Sequence, residues 1–130
     1  MFHALNSLQI QDSASHSEIK IDNQGNIRII EIGGRMGGDC IGSHLVQYST
    51  GIDYVRATIQ VACGTEPDLV PARKPIAAEV RYIMTEKDLA QMEQDREEGR
   101  ILAQIALFPD NIGKITDSSN RAGCYIVRIP

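Results

Sequence analysis

The sequence predicts an α+β fold, and three observations support that class. Residues 18–22 alternate charged and apolar side chains, and residues 27–32 form a β-branched run, as the two strands of a hairpin do. A helical apolar period follows at 53–63, and apolar strand patterns flank a helical segment between residues 77 and 108. The predicted order is an antiparallel hairpin with a glycine-rich loop, then two helices, then a small strand–helix–strand unit.

The length of the sequence and the position of its prolines predict how the chain is divided into units. The 130 residues suffice for a single domain with its own core. Residues 67–75 contain three prolines and show little periodicity, so they are interpreted as a connector. It divides a first unit, 1–66, which carries the hairpin and its helices, from a small α+β unit, 76–130.

Charge and cysteine content exclude several classes of function. The net charge is −4 and no basic cluster occurs, which argues against a nucleic-acid partner. No segment approaches the roughly 18 apolar residues of a membrane span, so no membrane partner is predicted. The three cysteines form no CxxC pattern, which favours a reducing, cytoplasmic setting.

The turn at residues 24–25 sets the register of the hairpin, because its glycine takes the positive φ of a tight turn. A loop symmetric about these residues places Glu18 opposite Glu31 and Lys20 opposite Ile29. A three-residue loop would instead change the parity of the register and turn Glu31 to the other face. The hairpin sequence alone leaves both registers open.

The opposed register has a chemical consequence. Directly opposed residues of an antiparallel pair share a face, with Cβ atoms about 4.5–5.5 Å apart. Two carboxylates about 5 Å apart repel by roughly 3 kcal/mol at an effective dielectric of ~20. A divalent cation between them converts repulsion into attraction, and Mg²⁺ suits carboxylate oxygens together with substrate phosphates. Glu18 and Glu31 are therefore candidate metal ligands, the alternative being two solvated strand ends.

A glycine-rich loop follows the second strand directly. Residues 33–38 hold four glycines and Arg35. Backbone N–H groups of such a loop can approach an anion closely, and the guanidinium adds a fork of donors for phosphate or carboxylate. The loop is not a Walker motif, since no Gly-Lys-Ser/Thr follows, and a flexible turn is the simpler interpretation. Its position two residues after a candidate metal ligand favours the anion site.

These residues together resemble a known family. The acidic first strand, the pattern Glu31-Ile-Gly-Gly-Arg35, and the glycine loop up to Asp39 resemble the C-terminal part of the ATP-grasp superfamily. They are similar to its carboxylate–amine ligases and biotin carboxylase-like proteins. The resemblance implies Mg²⁺, with Mn²⁺ as an alternative ion, held around the phosphates of ATP by Glu18 and Glu31. It also implies that Arg35 contacts phosphate or the substrate carboxylate as the catalytic residue.

The resemblance has further implications and one departure. The loop residues expected to contact the nucleotide are Gly34, Arg35, Gly37 and Gly38. The family's asparagine, usually a further metal ligand, falls on Gly33, which has no side chain and puts a second metal in doubt. The adenine pocket and the phosphate-binding lysines of the family are missing from this sequence. The partners implied are a small carboxylate, an amine, and the missing ATP-grasp domains, in the same chain or as a separate subunit.

Two residues beside the loop are candidate substrate contacts. His16 lies two residues before Glu18 and shares its face, where it would orient substrate or metal, or would be an ordinary strand-end histidine. Asp39 would contact a substrate amine, as the resemblance suggests, or would cap a helix running over residues 40–48. Cys40 and His44 have an i, i+4 spacing, but two ligands without a third argue against zinc.

The C-terminal unit has clear local signals. Strands are predicted at 77–84, 101–108, 112–116 and 124–129, and Thr85 with Asp88 resembles a capping box for a helix over 86–97. The acidic run 95–98 is expected to form a solvated face. Arg121 is expected to be an ordinary surface residue, or else a second anion contact.

Two hypotheses of different classes result. The first is an ATP-dependent carboxylate–amine ligase, of which this sequence supplies the part that binds the metal and the phosphates. This part alone is not expected to turn over ATP. The second is a non-catalytic module for assembly or small-anion binding, with homodimer formation through an unpaired strand edge as one form of it.

Overall fold

The computed structural model describes residues 2–130 and confirms the α+β class. A two-stranded and a three-stranded antiparallel sheet are linked by short helices. The elements are α1 (Phe2–Ser7), β1 (His16–Ile21), β2 (Ile27–Gly33), a π-helix (Ile41–Leu45), α2 (Val46–Thr50), α3 (Tyr54–Ala62), β3 (Ala78–Ile83), α4 (Glu86–Glu97), β4 (Ile101–Leu107), two 3₁₀ turns (Pro109–Asn111 and Ser118–Asn120) and β5 (Gly123–Arg128).

The hairpin β1–β2 reaches the predicted carboxylate pairing by an unexpected route. Near the turn the symmetric register is wrong, because Lys20 pairs with Arg28 rather than with Ile29. The loop has three residues, closed by a hydrogen bond from Asp22 N to Asn26 O at 3.1 Å, with Gly25 at φ 83°. Ile30 is then an extra residue, so that a β-bulge restores the parity.

The segment after the hairpin forms a bent helical layer. Asp53 caps α3 by accepting a hydrogen bond from Arg56 N at 3.0 Å, as its position predicts. Gly51 ends α2 with φ 81°, and its carbonyl accepts from Ala72 N at 2.8 Å. A side chain at Gly51 would collide with the backbone of Arg73, so glycine lets the connector lie against the end of α2.

The C-terminal sheet has the order β3–β5–β4, and α4 packs against it. Its buried core consists of Ile83, Met92, Ala122, Tyr125 and Val127. The Thr85 capping box is present, and α4 has the predicted bounds. No strand forms at 112–116, where a turn and an irregular segment pack Ile112 and Ile115 against the core instead.

Asp95 corrects the prediction of a solvated acidic face. Its side chain is fully buried and accepts four hydrogen bonds. Arg81 Nη1 and the Tyr125 hydroxyl donate to one oxygen at 2.6 and 2.7 Å, and Arg100 Nη2 and Gln91 Nε2 donate to the other at 2.5 and 3.2 Å. Burial opposes ionisation of Asp95, but the bonds from Tyr125, Gln91 and Arg81 outweigh it and lower its pKa. This network joins α4 to the sheet.

The hairpin is the least covered part of the structure. Ile19 and Ile29 form one cross-strand pair, Ile21 and Ile27 the next, and all four are exposed, by 40 to 62%. A two-stranded hairpin is marginally stable alone in water, so this face is suited to a further layer of structure. Within residues 2–130, no helix has the length and apolar character needed to cross a membrane.

Candidate functional site

Two carboxylates face each other across the hairpin. Glu18 and Glu31 are directly paired in the register, and both are exposed. The ion pairs that the described residues form all involve other side chains. Because opposed residues share a face, like charges are held together here without a cationic side chain between them. The three-residue loop alone would have separated them, and the bulge at Ile30 brings them together.

His16 ties the glycine loop to the beginning of β1. A Cβ placed on Gly37 would lie 2.9 Å from His16 Cδ2 and 3.2 Å from Ile41 Cγ2, so the imidazole packs directly on the loop. At Gly38 nothing lies within 4 Å of such a Cβ, so this part of the loop backbone is open to solvent. His16 and Glu18 share a face of β1, as predicted.

Arg35 folds back toward the same face. Its Nη1 donates to Met36 O at 2.8 Å. A Cβ on Gly33 would lie 3.6 Å from Arg35 Cγ and 3.9 Å from its Nε. Gly33 is paired with His16, two residues beyond Glu31, so its Cβ direction is that of the carboxylate face. The Arg35 side chain therefore lies beside Gly33, on the face of β2 that carries Glu31, and the glycine leaves room for it.

Asp39 is not a helix cap. It adopts φ 51° and Cys40 follows at φ 65°, both in the left-handed region, and the π-helix begins without a side-chain cap. The carboxylate instead binds Arg121 Nη1 at 2.8 Å, and the Asp39 carbonyl accepts from the Tyr82 hydroxyl at 2.9 Å. The Arg121 guanidinium stacks on the Tyr82 ring, 4.1 Å from its centroid. Arg121 is thus a constituent of this cluster rather than an ordinary surface residue.

A cavity of about 280 Å³ opens beside this cluster. Its lining includes the polar residues Asp39, Tyr82 and Arg121 together with Phe108 and Cys124. Burial and the Asp39 charge raise the pKa of Tyr82, so its hydroxyl stays protonated and able to donate at neutral pH. The hydrogen bond to Asp39 raises the pKa of Arg121. The cavity therefore combines a fixed ion pair with an apolar wall.

Other clusters add little to this site. No group of three or more histidine, cysteine, aspartate or glutamate side chains within residues 2–130 is placed to hold a metal ion. Cys40 lies against Cys124, and His44 Nδ1 lies 2.8 Å from the Ser43 hydroxyl oxygen. The acidic pair is thus a two-ligand arrangement, and any ion there would draw its remaining oxygens from water or substrate.

The comparison with solved structures gives one informative neighbour. The crystal structure of an L-amino acid ligase from Bacillus licheniformis matches with a TM-score of 0.67 and 20% sequence identity. The chain shares its fold with part of this ligase. The match covers 96% of the chain and 34% of the ligase, so the chain spans about a third of that protein's length. At this identity the likeness shows the fold alone.

No protein-family description and no curated protein sequence matches the chain. The candidate site therefore depends on the geometry described above. The structure brings together Glu18, Glu31, His16, Gly37 and Arg35 at one end of the hairpin. Asp39 lies at the far end of the glycine loop, in the second cluster.

Sequence reasoning missed the second cluster almost completely. Tyr82 and Cys124 carried no motif, and Arg121 is separated from Asp39 by 82 residues. The one available signal was Arg121, for which the sequence left a second anion contact open as an alternative.

Proposed function

We propose that the chain is the C-terminal part of an ATP-grasp ligase, binding the phosphates of Mg-ATP and supporting attack of an amine on an activated carboxylate. The observation that carries this proposal is the direct pairing of Glu18 with Glu31, with Arg35 folded onto the same face. A bulge is needed to create that pairing. None of the ion pairs among the described residues includes Glu18 or Glu31, so both carboxylates are free to bind a cation.

The donor set of the pair fits magnesium. Two exposed carboxylates supply hard oxygen ligands and leave the other positions to water and substrate phosphates, which is the usual manner of Mg²⁺ binding; Mn²⁺ accepts the same donors. Glu18 and Glu31 would hold the ion. When bound, it would neutralise phosphate charge and orient the phosphates for transfer.

The chain's own residues then have separate tasks. Arg35 contributes a fixed planar fork for phosphate, or for the carboxylate that becomes an acyl phosphate. The open backbone at Gly38 allows close approach of the nucleotide. Gly34 and Gly37 have Ile10 and His16 against their Cβ directions, so any contact they make with the nucleotide would come from their other side. His16 fixes the loop against β1. Catalysis of this type depends mainly on positioning and charge stabilisation, so few side chains suffice.

Asp39 and the neighbouring cavity would receive the nucleophile. The carboxylate side chain is 58% exposed although it is paired with Arg121, so it can still accept a hydrogen bond from an amine. The apolar wall formed by Phe108 would contact an uncharged part of the same substrate. The solved ligase has an amino acid as substrate by its name, and small amino compounds are the class proposed here.

The chain alone is not expected to turn over ATP. It spans about a third of the solved ligase, and the isoleucine face of its hairpin is exposed. We infer that the remaining ATP-grasp domains, in the same chain or as a separate subunit, cover this face and supply the adenine and lysine contacts. A soluble cytoplasmic assembly is the corresponding setting.

Calorimetry with Mg-ATP tests the proposal. Sub-millimolar binding to the isolated chain is expected, and Glu31→Gln should abolish it by removing one of two charges at the ion. Glu97→Gln is the matched control, because Glu97 is exposed on α4 and lies outside the site. Equal binding by all three proteins, or no binding by the natural sequence, would contradict the proposal.

A non-catalytic module is the second candidate, and the exposed isoleucine face favours it. If that face mediates assembly, the chain self-associates in analytical ultracentrifugation at micromolar concentration, irrespective of nucleotide. Self-association without any Mg-ATP binding would identify the module rather than the ligase part.

A further inference from the structure

Two thiols that are far apart in sequence meet beside the Asp39 cluster. Cys40 Sγ and Cys124 Sγ lie 3.7 Å apart, although 84 residues separate them. Both side chains are partly buried, whereas the third cysteine, Cys63, is exposed at the end of α3. Both cysteines also line the 280 Å³ cavity, which gives a small reagent a route to this contact.

The two backbones at this contact differ in freedom. Cys124 lies in the central strand β5, paired with Tyr82 on one side and Ala106 on the other, so its position is fixed. Cys40 lies at the end of the glycine loop with φ 65°, in a conformation that favours glycine. A bond between the sulfurs would therefore be accommodated mainly by movement of the loop.

We propose that Cys40 and Cys124 form an oxidisable dithiol whose disulfide locks the end of the glycine loop to the C-terminal sheet. This modification site does not depend on the ligase proposal. An S–S bond of about 2.05 Å requires the sulfurs to approach by roughly 1.7 Å from their present separation. Because Asp39 directly precedes Cys40, the same movement alters the Asp39–Arg121 wall of the cavity.

The oxidant is a peroxide, and the reaction proceeds in two balanced steps. One thiol loses its proton, its thiolate attacks a peroxide oxygen to become a sulfenic acid, and the O–O bond breaks to release hydroxide, which takes up that proton and leaves as water. The second thiol then attacks the sulfenic sulfur, the disulfide forms, and a second water leaves. In total two thiols and one hydrogen peroxide give one disulfide and two waters.

The local environment indicates which thiol reacts first. Burial, followed by the contact with Cys40, raises the pKa of Cys124 to about 11, so Cys124 stays protonated at neutral pH. Cys40 lies on the loop, where the backbone has more freedom, so it is assigned the first attack, and Cys124, fixed in β5, is assigned the resolving step.

Peptide mapping of the natural chain after mild hydrogen peroxide treatment tests the proposal. The expected product is a linked Cys40–Cys124 peptide pair in the monomer, lighter by two hydrogens and restored by dithiothreitol. Cys63→Ser should give the same product, whereas Cys40→Ser should give none. Sulfinic acid at Cys40, or disulfides formed mainly through Cys63, would overturn the proposal.

Thermal unfolding provides a second readout that needs no variant. Closing a loop of this length restricts the unfolded chain, so the oxidised protein should melt several degrees above the reduced protein. Addition of dithiothreitol should reverse the shift. A linked product with unchanged or lower Tm would show that the bond does not join two natively adjacent positions, and would also contradict the proposal.

Discussion

The buried carboxylate of Asp95 allows a quantitative prediction. Asp95→Asn keeps the shape of the side chain but removes its charge and replaces one acceptor oxygen by a donor. Of the four groups that donate to Asp95, two then face an N–H group instead of an oxygen. Because the carboxylate is fully buried, water cannot replace the lost bonds at that point.

The expected loss of unfolding free energy depends on whether the two arginines that contact Asp95 can be solvated or paired elsewhere. Breaking a buried ion pair by removing one partner costs about 3–5 kcal/mol of unfolding free energy. Arg81 and Arg100 have side chains that are 28 and 26% exposed, and each also contacts a second carboxylate, Glu79 or Glu98. Since both can turn toward water, the lower end, about 3 kcal/mol, is expected, equivalent to a loss of roughly 10 °C in Tm.

Urea unfolding followed by far-UV circular dichroism measures this loss. The transition midpoint should fall while the m-value stays the same, because the surface exposed on unfolding is unchanged. Glu97→Gln, on the exposed face of the same helix, should change the stability by less than about 0.5 kcal/mol. An Asp95→Asn protein within 1 kcal/mol of the natural chain would refute the assigned role of the network.

The lowered pKa of Asp95 predicts how the free energy of unfolding changes at acid pH. The pKa of Asp95 is lowered in the folded protein, so the unfolded chain binds its proton more tightly. Stability from this group is therefore complete above the unfolded pKa of about 3.9 and is lost as the pH falls through the lower, folded value. Asp95→Asn should flatten this part of the pH profile.

Three further predictions concern the site and the hairpin. Gly37→Ala should displace the His16 ring and weaken Mg-ATP binding measured by calorimetry about tenfold. Glu97→Gln, on α4 and outside the site, should leave binding unchanged, and equal effects of the two changes would contradict the packing of His16 on the loop. Gly33→Asn should tighten Mn²⁺ binding, measured by electron paramagnetic resonance, because it adds an oxygen ligand on the acidic face. Gly33→Ala is the control for the added Cβ, and no gain of Gly33→Asn over Gly33→Ala would argue against a metal at this face. Ile27→Lys, at a side chain 62% exposed, should suppress self-association in ultracentrifugation without lowering Tm, and persistent association would place the interface elsewhere.

Local signals in the sequence were sufficient for most of the regular elements, although the strand predicted at 112–116 does not form. Helix α4 has its predicted bounds because the Thr85–Asp88 capping box acts over three residues. Asp53 and Gly51 likewise act within a single turn. The opposition of Glu18 and Glu31 was also predicted, although by a register that is wrong near the turn.

Contacts between residues far apart in the chain could not be predicted from the sequence. The bulge at Ile30 depends on how the whole hairpin packs, so the parity of the register could not be settled from the turn alone. The sequence neighbours of Asp95 are charged residues typical of a solvated helix face, and only the fold brings Arg81 and Tyr125 into contact with it. The Asp39–Arg121 pair likewise joins two polar loops that carry no shared pattern.

The carboxylate pair on the hairpin is the feature on which the nucleotide proposal depends. Crystals grown with Mn²⁺ and ATP, measured at a wavelength where manganese scatters anomalously, would locate the ion directly. The account predicts an anomalous peak between the Glu18 and Glu31 carboxylates, with the ATP phosphates adjacent and Arg35 in contact with them. An ion bound elsewhere, or a nucleotide bound without either carboxylate near its phosphates, would contradict it.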